Sequence, residues 1–187
     1  MLVTVFFALT SEAFAQEIVD SRVSISLKGG QEISEDLTVF GTFFPTLNAV
    51  AGLSPNGYLG VHWQAFEFLK VSPAIGFNYT ENALIFSLRL SPKWNDFWGW
   101  FDCEYGLNDF GWNFGQLEWQ AIKWLAVGAE YELKGSYLTL DEWNLGGGPN
   151  LVFSLGNFSL SLAGQFRQIG KFEPVFQFVS RVEVKLF

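Results

Sequence analysis

The chain has 187 residues and a net charge of −8; 16% of it is charged, while aromatics reach 18% with 21 Phe and 8 Trp. One domain is the natural division at this length. The acidic balance, without any cluster of Lys and Arg, excludes a nucleic-acid partner, because phosphate binding depends on such clusters. A single cysteine, Cys103, excludes an internal disulfide, a thiolate metal site and a CxxC redox pair. No metal or other cofactor is expected.

In chain order, residues 1–15 come first. An apolar stretch from Leu2 to Leu9 precedes Ala13-Phe14-Ala15, the small-x-small pattern of a secretory cleavage site. The basic n-region of such signals is missing, as it would be from a shortened start. Residues 16–31 form an N-terminal segment in which Val23, Ile25 and Leu27 alternate with Ser24, Ser26 and Lys28 like a strand; counting it would give eleven, and the alternatives are that it extends or caps the first strand or pairs with a twelfth.

From residue 32 to 187 apolar and polar residues alternate at period two, which marks strands with two unlike faces. Leu84, Phe86, Leu88 and Leu90 alternate with Ser87, Arg89 and Ser91; Phe158, Leu160 and Leu162 alternate with Ser159 and Ser161. Phase switches and turn residues predict strands over 32–44, 58–67, 69–79, 83–91, 97–105, 113–121, 124–134, 143–155, 157–167 and 175–187. The expected fold is therefore an all-β, transmembrane antiparallel β-barrel of about 10 strands, with 8 or 12 as alternatives. No apolar run approaches the ~20 residues of a membrane helix, so any crossing is made by strands. Connections near Phe68, 92–96, 121–123 and Gly156-Asn157 read as tight, and those over 45–57, 106–112, 135–142 and 168–174 as longer. Residues 146–148, three glycines, precede no helix and read as a flexible loop, not a phosphate cradle.

A soluble barrel shows the same alternation with its faces reversed. Here the polar phase is rich in small residues, among them Ser72, Ala74, Gly76, Ser87 and Gly128, which suit a crowded lumen better than a solvated exterior. Tyr58, Tyr79, Tyr105, Tyr131 and Tyr137 fall toward one set of strand ends, and Trp94, Trp119 and Trp124 toward the other. Membrane barrels carry aromatic girdles of this kind. On these features the chain resembles the bacterial outer-membrane β-barrel proteins as a broad class. Phe187 is similar to the terminal aromatic of that class, although Lys185, Glu183 and Arg181 share its phase. The resemblance implies an outer-membrane location, short turns on the periplasmic side, contact with lipid and lipopolysaccharide, and delivery to the barrel assembly machinery through the last strand. It leaves the oligomeric state open.

The polar phase places Lys70, Arg89, Asp102, Glu104, Glu118, Glu130, Glu132, Arg167, Arg181, Glu183 and Lys185 inside the barrel. Opposite charges in a narrow, partly dry space must pair. They are read as a plug of ion pairs or as the lining of a pore. Phe40, Trp98, Trp100 and Trp124 share that phase and form a candidate aromatic pocket. The only histidine, His62, is the candidate general base should the barrel be a hydrolase or protease, with Asp102 or Glu104 as partners. Three readings result: a structural or passive small-solute or ion pore, a ligand-binding barrel, and an enzyme built on His62.

Overall fold

The computed structural model describes residues 18–48, 52–80, 82–136, 143–169 and 175–186. Among these, eleven strands form one closed barrel and there is no helix: β1 (Ile18–Ser34), β2 (Leu37–Asn48), β3 (Gly52–Phe66), β4 (Leu69–Asn78), β5 (Ala83–Trp94), β6 (Phe97–Gly106), β7 (Phe110–Ile122), β8 (Leu125–Ser136), β9 (Asn144–Leu155), β10 (Phe158–Ile169) and β11 (Val175–Lys185). Each strand pairs antiparallel with its sequence neighbours, and the ring closes through a parallel pair, β1 against β11, in which Val23 faces Ser180 and Leu27 faces Val184. An odd number of alternating strands must close this way, since the first and last run in the same direction. Closure leaves no unpaired strand edge.

Four expectations are corrected here. Residues 18–31, which the sequence sets apart from the barrel, form most of β1, and this is the eleventh strand. The strand expected over 32–44 is split by a turn at 35–36. Glu35 and Asp36 form that turn without glycine, proline or asparagine to announce it. The long loop expected over 45–57 is mostly paired strand, with Phe43 opposite Gly57 and Pro45 opposite Pro55. Facing prolines put the loss of two N–H donors at a single row of the ladder. The glycines at 146–148 lie inside β9. The signal-like residues 1–15 and the terminal Phe187 lie outside the described residues.

The two ends of the barrel differ. Two-residue turns at 35–36, 67–68, 95–96, 123–124 and 156–157 occupy one end, and connections over 49–51, 79–82, 107–109, 137–143 and 170–174 the other. Asn95 and Gly156 take left-handed φ values of 52° and 58° in two of the tight turns, a conformation a β-branched residue resists. Trp94, Trp119 and Trp124 gather at this tight-turn end, while Tyr79 and Tyr105 lie at the other. Tyr131 sits near mid-strand instead, where its ring covers the outward side of Gly115 together with Phe101.

The alternation resolves into an apolar exterior and a polar interior. Leu59, Trp63, Ile75, Phe86, Leu88 and Leu117 point outward, with Leu59 66% exposed and Trp63 52% exposed. The interior buries Asp102, Glu104, Glu118, Glu130, Glu132 and Arg167, along with Gln116, Asn150, Gln165 and Gln177. On the described strands from Val23 onward, every charged residue stands on the inward phase.

Candidate functional site

The lumen is built from this inward phase. Each strand contributes a side chain every second residue, so residues from distant parts of the chain converge where the wall is curved inward. Along β7 to β11, Glu132 accepts from Trp112 Nε1 at 2.7 Å and pairs with Arg167, whose Nη2 also donates to Gln165 Oε1 at 2.7 Å and whose Nη1 donates to Asn144 Oδ1 at 2.9 Å. Arg181 of β11 reaches past two strands to grip Glu130 of β8 with both guanidinium nitrogens, at 2.7 and 2.8 Å. Gln165 and Asn150 also donate to Glu130, and Asn150 donates to Glu118.

Glycines of the inward phase make room for these groups. The Glu118 carboxyl lies across Gly128, where an added Cβ would meet Glu118 Oε2 at 2.5 Å and collide with the Leu117 carbonyl. Gly146 gives the same relief to Gln165 and Arg167, with an added Cβ 2.9 Å from Gln165 Oε1.

Two chambers occupy the lumen; β1 to β6 line both, and residues of the later strands such as Gln116, Glu132, Ser154 and Ser161 complete their walls. The larger, of about 1030 Å³, lies toward the tight-turn end and is lined by His62, Lys70, Trp98 and Lys185 among others. A smaller one of about 330 Å³ lies toward the longer-loop end, with Asn56, Tyr58, Ser72 and Trp112 in its wall. Lys28, Phe40, Arg89, Trp100 and Arg181 border both chambers and so stand where the two meet. Arg89 there grips Asp102 at 2.8 and 2.6 Å, and Lys28 pairs with Glu183. Lys28 Nζ and the Arg89 guanidinium lie 5.2 and 4.8 Å from the Trp100 ring centre, and Arg181 lies 4.8 Å from that of Phe114. Cations held on aromatic faces and in bidentate pairs are fixed in place.

The structure thus brings Arg89 to Asp102, Arg167 to Glu132, Arg181 to Glu130, and Lys28, absent from the sequence-derived set, to Glu183. Glu104 accepts from Tyr58 Oη at 3.1 Å. Glu118 is fully buried, with Asn150 as its donor and no ion pair of its own among the described residues. Lys70 and Lys185 have no ion-pair partner among the described residues and line the larger chamber. Of the four aromatic candidates, Phe40, Trp98 and Trp100 line the larger chamber. Trp124 does not, because it belongs to the turn at 123–124, is 52% exposed and stacks on Phe153 at 6.2 Å. Its apparent inward phase ends where the turn begins.

His62 stacks on Phe40 with ring centres 4.0 Å apart, and its Nδ1 lies 2.7 Å from Ser72 Oγ. A hydroxyl is therefore in reach of the imidazole, a neighbour ten residues away that no local motif announces. The acids proposed to orient the ring are engaged elsewhere, Asp102 by Arg89 and Glu104 by Tyr58. Neither of these two acids is therefore the group that orients the imidazole, the third role in an activated nucleophile.

These features define a closed all-β barrel with a charged, two-chambered lumen. No protein-family model matches the chain, and no curated protein matches it significantly.

Proposed function

We propose that the chain is a small outer-membrane β-barrel that spans the bilayer and gives small polar solutes or ions a restricted, passive path through its lumen. One observation carries this reading: on the described strands from Val23 onward the outward phase holds no charged residue, while large apolar side chains stand exposed around the whole circumference. In water such a surface would aggregate, since soluble monomers rarely expose continuous apolar patches of more than a few hundred Å². In lipid it is the expected exterior. The closed ring satisfies its backbone within the sheet, as a bilayer demands.

The odd strand number departs from the even-numbered barrels of bacterial outer membranes. Assignment to a bacterial outer membrane therefore rests on the cleavage pattern at Ala13-Phe14-Ala15 and on the aromatic girdles, not on the strand count. In that setting the exterior meets lipid and lipopolysaccharide, and β11 with Phe187 is the segment offered to the assembly machinery.

Passage is restricted because Lys28, Arg89, Arg181 and Trp100 stand in the lumen where the two chambers meet. Fractionation tests the membrane assignment, and planar-bilayer recording tests the path. The protein is expected to leave membranes only with detergent and to conduct weakly, and Arg181→Ala is expected to conduct more. A wild type and an Arg181→Ala variant that both insert and never conduct would defeat the pore and leave a purely structural barrel.

A further inference from the structure

We infer that the smaller chamber is a binding site for an uncharged polyhydroxyl solute of about sugar size. Its volume of about 330 Å³ falls in the range of small-molecule sites. The two sides of its wall differ in chemistry. On the β1 to β4 side stand Ser24, Thr46, Ser54, Asn56, Ser72 and Asn78, a field of hydroxyls and amides. Across from them stand Trp100, Phe110 and Trp112. A pyranose has the matching construction, with hydroxyls around its edge and C–H groups on its faces, and aromatic rings supply flat apolar area for those faces.

Three polar atoms in this wall point to the ligand more specifically. Ser26 Oγ, Asn56 Oδ1 and Trp100 Nε1 are buried and have no hydrogen-bond partner. Ser26 itself is only 5% exposed. Buried polar groups are nearly always satisfied, and leaving one unmade is costly. The three comprise a hydroxyl, an acceptor and a donor, Ser26 and Trp100 standing where this chamber meets the larger one, and hydroxyls, which both donate and accept, are complementary to each of them. An ion is a poorer match, because Arg89 is closed on Asp102, Arg181 on Glu130 and Lys28 on Glu183. Glu132 is likewise closed on Arg167, and the remaining charged residues of the wall, Glu104 and Lys134, are of opposite sign, so the wall carries little net charge to attract one.

The inference deepens the reading of the lumen as a path for small solutes, and titration of the full chain folded in detergent tests it. The probes are D-glucose and maltose, with sodium glutamate as a charged solute of similar size, and intrinsic tryptophan fluorescence as the readout. Wild type is expected to show a saturable change with at least one sugar and about tenfold weaker binding of glutamate. Asn56→Leu and Ser26→Val, each verified as folded by thermal melting, are expected to weaken sugar binding about tenfold, since a site built for hydroxyls loses its partners. Leu59→Ala, on the exterior of the barrel, is expected to bind as wild type does. Absence of a saturable response to both sugars, equal binding of glutamate, or wild-type binding by the two folded variants would overturn the inference. A chain that inserts into bilayers without binding sugar defeats this inference alone, whereas a chain that stays soluble and monodisperse without detergent defeats the membrane reading.

Discussion

Glu130 is 4% exposed and is held by both nitrogens of Arg181. Removing the cation strands a buried carboxylate, a change that typically costs ~3–5 kcal/mol. Arg181→Ala should therefore lower the melting temperature in detergent far more than Val182→Ala, which only trims an outward side chain. Equal melting of the two variants would contradict the pairing. Gly128 offers an independent check, because a methyl there meets the Leu117 backbone as well as the Glu118 carboxyl. Gly128→Ala should destabilise by ~1–3 kcal/mol, the usual cost of overpacking, while Gly57→Ala, whose Cβ would meet only the edge of Tyr79 at 3.8 Å, should be nearly neutral. Thermal melting of the pair decides. Much of this was legible in the sequence, since period two fixes which charges face inward. Their partners were not: Arg181 reaches Glu130 over β9 and β10, and no local spacing encodes a contact across a lumen. Nor does the sequence show that inward glycines such as Gly128 are slots for neighbouring carboxyls.

At the scale of the strand, alternation exposed most of the barrel wall, and it failed where residue chemistry ran against position. Gly29 and Gly30 interrupt the pattern in β1, and the turn after it is made by two acids. Pro45, Asn48, Pro55 and Gly57 look like loop residues yet sit in or at the ends of paired strands. The parallel partnership of β1 and β11 was beyond sequence reasoning, because it joins residues some hundred and fifty positions apart and depends only on closure. It makes a discriminating prediction. In a Cys103→Ser background, a short bifunctional thiol reagent should cross-link Val23→Cys with Ser180→Cys, and Leu27→Cys with Val184→Cys. An antiparallel seam would instead join position 23 to 184 and 27 to 180, and that pattern of cross-links would refute the closure.

For the whole molecule, the segregation of charge inward and apolar bulk outward is a statement about the solvent on each side. A soluble barrel inverts it, so the surrounding medium is the central claim. Leu88 lies mid-strand in β5 and is 45% exposed, whereas Leu155 ends β9 beside a two-residue turn and is 80% exposed. The most direct measurement is the unfolding free energy in lipid vesicles of Leu88→Arg and Leu155→Arg against wild type. A membrane-spanning barrel predicts a loss of ~2–4 kcal/mol for arginine at mid-depth and ~0–1 kcal/mol at the rim. Equal losses at the two positions, or a wild type that folds as a monodisperse species in plain buffer, would contradict it.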